Sequence, residues 1–261
     1  MSIQLTCQPK NLPKEKWIEA ARKATQINPV NHPPIERLVR ALPKFVPTPA
    51  HIAVLTTKYW QSGGVRLTVG FLDDPPADLR RRILLHMNAW DKTAQVQFTE
   101  AKTDPQVRIA RTPGDGYWSY LGTDVLSIDP SEPTMNLDSF SMETEESEYK
   151  RVVRHETGHT MGFPHEHMRR ELVDKIDRDK AIKFFQDTQG WPEDEVIQQV
   201  LTPIEESSLR GTAHADPNSI MCYQIPGSIT KDGKPILGGT DIDSLDYSFA
   251  GQIYPKNGVV S

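Results

Sequence analysis

His155, Glu156, His159, Gly162 and His165 fall in the order H-E-x-x-H-x-x-G-x-x-H within Arg154–Glu166. Two histidines four apart project from one face of an α-helix and can grip a single ion. Glu156, next to the first of them, is placed to reach a metal-bound water rather than the metal. Gly162 can take the positive φ that ends a helix, after which the chain can swing His165 back to the same point. Three neutral imidazoles plus a water make an open tetrahedral zinc site, the pattern of catalysis rather than of structural support. A structural Zn2+ would leave Glu156 as an unexplained carboxylate beside the metal. The chemistry implied is hydrolysis by an activated water.

The chain around this stretch has 261 residues, enough to bury one substantial core. A net charge of -5 argues against general affinity for nucleic acid. No apolar run is long enough for membrane insertion. The first residues, Met1 to Cys7, lack the basic and apolar regions of a signal peptide. Cys7 and Cys222 can make one bridge at most. Cys7 has a second reading: a thiolate is a good fourth zinc ligand and could hold the centre latent.

The elements that must position the site follow from periodicity. Residues 1–50 read as an N-terminal extension or pro-segment, and residues 51–261 as the catalytic domain. In the extension, Lys14 to Gln26 is a predicted helix with Trp17, Ile18, Ala21 and Ala24 on its apolar stripe, and Ile35 to Leu42 a second short helix. His32 sits among Asn and Pro breakers, a solvated loop position. Pro43, Pro47 and Pro49 then form a linker. Ile52 to Leu55 reads as a short strand, and Val65 to Leu72 alternates with period two. Ala77 to Asp91 is an amphipathic helix with Leu79, Ile83, Met87 and Trp90 inward and His86 close to that stripe. Val96–Thr99 and Val107–Ala110 are further strands, so a helix packs on a twisted sheet.

The aromatics of the Gly-rich stretch 112–122 read as packing for a long loop or as a cleft lining. Thr134–Leu137 is a strand that is either internal or at the sheet edge, where it could pair with an extended substrate. Glu143, Glu145, Glu146 and Glu148 suit the N-terminus of the motif helix, which Tyr149, Val152 and Val153 anchor to the core. Asp177–Asp187 and Glu193–Leu201 are predicted helices around Gly190-Trp191-Pro192. His167 and His214 lack ligand spacing to the motif. Ser219-Ile220-Met221-Cys222-Tyr223 puts a methionine in an apolar pentapeptide, by itself usually core filler.

Taken together, these two stretches resemble the metzincin zinc endopeptidases, and among them the astacin-like family. The zinc motif is matched at each defined position. His165-Glu166-His167-Met168-Arg169 is similar to the family's H-E-H-x-R, and Ser219–Tyr223 to its S-x-M-x-Y. The likeness covers residues 51–255, with Asp241 to Tyr254 similar to the closing helix. It implies an α+β fold: a metzincin-like catalytic domain with a twisted, mostly parallel sheet, an antiparallel edge strand, an active-site helix, a Met-turn and a C-terminal helix. It implies that His155, His159 and His165 bind Zn2+ and that Glu156 is the catalytic base. Met221 would make the turn beneath the metal, and Gly162 and Glu166 would give structural support. Tyr223 would be an additional ligand able to swing and stabilise the transition state. The substrate implied is a protein or peptide, and the family suggests secretion.

Two departures mark a divergent, bacterial-type branch. Secreted astacins carry two disulfides, and Asp177-Arg178-Asp179 arrives later than the family's D-R-D. The Glu166 partner in mature family members is a trimmed N-terminus, whereas here fifty residues precede the domain. Two rivals to plain endopeptidase activity are a latent proenzyme and a non-catalytic zinc-containing peptide-binding module. Intact Glu156 and Tyr223 argue against the latter.

Overall fold

The computed structural model describes residues 7, 10–33, 48, 49, 53, 56–166, 170–202, 216–222 and 224–256. Its centre is a five-stranded sheet made of β1 (Val65–Phe71), β2 (Val96–Glu100), β3 (Val107–Ala110), β4 (Tyr117–Ser119) and β5 (Met135–Leu137). The order is β2-β1-β3-β5-β4, parallel throughout except for β4, which ends the sheet antiparallel to β5. Val65 pairs with Val96, Val69 with Val107, Ile109 with Met135, and Trp118 with Asn136. The inward residues of β1 (Val65, Leu67 and Val69) are buried as the alternation requires.

The helix on this sheet, α2 (Ala77–Met87), continues as a 3₁₀ turn over Asn88–Lys92. Leu79, Ile83, Met87 and Trp90 are all buried on one stripe, each contributing about 1.5–3 kcal/mol of burial. His86 is in the core beside Tyr149. The motif helix begins at Glu146, passes through a π-helical turn over Tyr149–Val153, and becomes α3 (Arg154–Thr160). Tyr149, Val152 and Val153 lie in the main core. Trp90 fixes the helix axially, its indole N–H donating to Arg154 O at 2.9 Å.

A second, smaller core holds Leu172, Ala181, Phe185, Trp191, Val196, Ile225, Ile229 and Ile236, together with both cysteines. It is built around α4 (Arg178–Gln189), whose N-cap Asp177 accepts from Lys180 N and whose C-cap is Gly190 at φ 69°. A helical stretch over Glu193–Val196 and Ile197–Leu201 follows. The chain closes with α5 (Ser244–Ile253), capped by a reciprocal Asp243–Asp246 box.

Several expectations need correction. Thr134–Leu137 supplies an internal strand, and the edge is β4, from the aromatic stretch read as loop. Three residues of Tyr-Trp-Ser carry too little periodicity to be seen, and cross-strand pairing with β5 makes them a strand. Ala53 is helical, so the expected strand over Ile52–Leu55 does not form there, and its other members lie outside the described residues. Cys7 and Cys222 share one core as thiols and are not joined by a disulfide. In the extension, α1 (Trp17–Ile27) forms, but Ala20, Ala21 and Ala24 make its buried face while Ile18 is 39% exposed. Ile35–Leu42, Pro43, Pro47, His167 and His214 lie outside the described residues.

Candidate metal centre

α3 presents His155 and His159 from one face, and the chain turns back after it as the motif predicts. Gly162 sits at φ 97°, and a Cβ there would come 2.9 Å from Lys58 O. Its left-handed backbone and close neighbour both require glycine. Beyond it His165 completes the set: the three Nε2 atoms stand 3.1, 3.3 and 3.0 Å from one another. His155 Nδ1 donates to Ile220 O at 2.6 Å and His159 Nδ1 to Phe163 O at 2.8 Å. Those carbonyls fix the protons on Nδ1 and leave bare Nε2 lone pairs facing one another.

Converging lone pairs repel unless a cation lies between them. Ligands about 2.0–2.1 Å from a tetrahedral zinc would be about 3.3 Å apart, which the observed triangle matches. The donor set therefore fits Zn2+. Burial lowers the His155 pKa to about 4, so the ring is neutral and ready to ligate.

A fourth group completes the cluster. Cys7 Sγ lies 3.5 Å from His159 Nε2, and its ligand atom is within 4.8 Å of all three histidine nitrogens. A sulfur about 2.3 Å and a nitrogen about 2.0–2.1 Å from one tetrahedral zinc would be separated by about 3.5 Å. Cys7 Sγ also lies 3.6 Å from Glu156 Oε2, its hydrogen pointing to that carboxylate. Glu156 is 1% exposed, and burial pushes its carboxyl up to about 8, against the lowering effect of the Cys7 contact.

The 219–222 stretch lies against the motif helix, with Ile220 O on His155 Nδ1. Met221 is buried in the main core, and a Cβ on Gly158 would run into its Sδ. Gly158, which the motif treats as an indifferent position, is thus the surface on which the turn rests. The turn hangs from α5: Asp246 accepts from Ser219 Oγ at 2.6 Å, Ile220 N at 2.9 Å and Asp243 N at 3.1 Å. Ile220 in turn offers its carbonyl to His155. Burial pushes the Asp246 carboxyl up to about 6, opposed by these donors. Asp246 was invisible to sequence reasoning; its place in a D-x-x-D capping pattern was the available signal. Glu166 is half-buried, accepts from Asp216 N at 3.1 Å, and its own N–H donates to Met221 O at 2.9 Å. It ties the third-histidine loop to the turn. Tyr223 lies outside the described residues.

The extension is bound to this half of the molecule. Asn31 is fully buried and uses both ends of its amide: Nδ2 donates to Ala24 O and Tyr59 O, and Oδ1 accepts from Tyr59 N and Thr57 Oγ1. Trp60, next along, donates its indole N–H to Thr160 O at the end of α3. Lys16 and Lys23 donate to Ser127 O and Leu126 O.

The model of the Astacin peptidase family matches residues 54–236. The chain belongs to this family. It is 34% identical over 110 residues to zinc metalloproteinase nas-27 of Caenorhabditis elegans, a match covering 42% of this chain and 22% of that protein. The chain thus spans about a fifth of the length of that curated relative. The solved structure of myroilysin superposes with a TM-score of 0.71 at 29% identity, covering 77% of this chain and 97% of that one. The hatching enzyme zinc-protease of Oryzias latipes shares the fold, with a TM-score of 0.52 at 16% identity over 76% of this chain and 94% of that one. The α+β architecture with a mostly parallel sheet is that of these proteins. Zinc is the metal of the family, and the three-histidine cluster is where it would be held. No helix among the described residues is long and apolar enough to cross a membrane.

Proposed function

We propose that the chain is a zinc-dependent endopeptidase in which His155, His159 and His165 hold the metal and Glu156 is the general base. The observation that carries this reading is the set of three Nε2 atoms at ligand spacing with the buried Glu156 carboxyl beside them. When bound, zinc supplies a water acidified toward neutral pH and polarisation of the scissile carbonyl. Glu156 takes the proton of the attacking water and returns it to the leaving amine, first as base and then as acid. The Tyr223 hydroxyl, by resemblance to the family, donates to the developing oxyanion. β4 is the last strand of the described sheet, where an extended substrate would add once the edge is uncovered. Glu156→Ala should retain zinc by metal analysis while losing peptidase activity on casein; cleavage that survives both this change and a chelator would sink the assignment.

The position of Cys7 favours a second statement about the same protein: with residues 1–50 in place it is a latent form. The thiol occupies the position that water and substrate need, and is fully buried there. Residues 1–50 then act as a pro-segment and 51–261 as the catalytic domain. Cys7→Ser removes the soft ligand and keeps the size. If the open state is a minor one, activity of the intact chain should rise by about tenfold or more, in proportion to the fraction released. Equal activity of the two proteins, with no gain after limited proteolysis, would exclude latency.

A further inference from the structure

Lys10 and Trp118 meet in a contact that the hydrolytic reading leaves unused. Three residues after Cys7, the Lys10 ammonium stands 4.7 Å from the centroid of the Trp118 ring. Trp118 is the middle residue of β4. Its indole N–H donates to Asp115 Oδ2 at 2.9 Å, and Tyr120 meets the ring edge-on at 5.9 Å. The ring is therefore locked in place by a carboxylate and a second aromatic, with a face turned to the N-terminal segment. An indole face held in this way attracts an ammonium or guanidinium through its quadrupole, and the nearby Asp115 carboxylate adds negative charge. The segment that carries Lys10 also brings Cys7 to the three-histidine cluster.

We infer that the Trp118 face, with Asp115 behind it, is a specificity subsite for a basic side chain of the substrate, filled by Lys10 in the intact chain. This rests on the peptidase reading, since it names the substrate class of that site. Lys10 is three positions from Cys7, so the recognised lysine or arginine lies two to four residues from the scissile bond. Which side of that bond it occupies depends on whether substrate runs with or against the N-terminal segment.

Two measurements on the full chain test this. The first profiles cleavage of a proteome-derived peptide library by the Cys7→Ser/Lys10→Leu protein, in which neither side chain fills the site. Lysine and arginine should be enriched two to four residues from the cut. Trp118→Leu should reduce that enrichment by about fivefold, the size of one partly desolvated cation–π contact, while cleavage of a peptide without basic residues persists. Asp115→Asn, which leaves the ring in the core, should reduce it in the same direction. A profile flat at those positions overturns the subsite and leaves the peptidase standing. The second measurement needs no turnover: the rate at which a maleimide labels Cys7, read by mass spectrometry. Lys10→Leu should speed labelling by about fivefold and Lys10→Arg should leave it unchanged. Should no peptide be cleaved at all, the peptidase reading falls, and equal labelling of the native and Lys10→Leu chains independently overturns this one.

Discussion

Asp246 is remote from the 219–222 turn in sequence but supports it through two hydrogen bonds, so replacing it tests whether α5 holds the metal site. Asp246→Ala strips acceptors from Ser219 Oγ and Ile220 N, both buried, and from Asp243 N nearer the surface. At about 1–3 kcal/mol for each buried donor left unpaired, the loss should be about 2–5 kcal/mol. The Ile220 carbonyl would lose its fixed direction toward His155, and such outer contacts are worth about 10–100-fold in metal affinity. Asp246→Asn has a different expectation. Its carbonyl can keep both backbone donors and its amide can face Ser219 Oγ, so stability at neutral pH should fall by about 1 kcal/mol or less. The two variants also separate on pH. Burial raises the folded carboxyl from 3.8 to about 6, so between these values the folded state holds a proton that the unfolded state has released. Its contribution is fully present below the unfolded value and is lost as pH rises toward 6, about 3 kcal/mol in all. Urea denaturation of the zinc-saturated proteins from pH 4 to 7 should therefore show a falling term in the native chain that Asp246→Asn lacks. Chelator competition gives the zinc affinity. If Asp246→Ala binds zinc as tightly as the native protein, the turn does not orient His155 and the reasoning fails.

Three further outcomes follow from the same geometry. Gly158→Ala drives a methyl into Met221 Sδ, an overpacking that should cost about 1–3 kcal/mol in denaturation and lower zinc affinity more than a surface change of equal cost. Asn31→Ala removes four hydrogen bonds that join Ala24, Thr57 and Tyr59, and should loosen the extension by about 2–4 kcal/mol, read as earlier proteolysis of residues 10–33 with the sheet still protected. Tyr223→Phe should lower kcat more than it raises KM if its hydroxyl acts on the transition state; an unchanged kcat would remove that role.

The three-histidine cluster was legible because its relation is local. A spacing of four on a helix and a glycine before the third histidine state the geometry within one short motif. The parallel strands β1, β2 and β3 were legible for the same reason, each carrying its own apolar periodicity. What the sequence hid is what long-range pairing creates. β4 is a strand because β5 lies beside it, and its aromatic residues taken alone read as loop packing. Asn31 read as a helix breaker, since nothing local says that its amide will bridge Ala24 to Tyr59 from inside the core. On α1 the apolar count placed Ile18 inward, but the small side chains of Ala20 and Ala24 let the helix approach, and the isoleucine stays outside.

Cys7 shows how the two kinds of information combine. It stands 149 positions before Glu156, so no spacing rule joins it to the motif, and composition alone offered a disulfide with Cys222 as readily as a metal ligand. Both thiols do reach the same small core, which makes the disulfide reading physically near. The distances set the disulfide aside: no disulfide joins the two cysteines, and Cys7 Sγ sits 3.5 Å from His159 Nε2. Burial pushes the Cys222 thiol far up, with Glu166, Asp216 and Asp246 adding to the effect. A thiol held protonated in that way is a poor nucleophile and a poor ligand, so it packs. Cys7 instead stands within 4.8 Å of the three imidazole nitrogens, beside the Glu156 carboxyl. Two cysteines in one core therefore have different surroundings. Mild alkylation of the zinc-loaded chain should spare both, and after chelation it should modify Cys7 first.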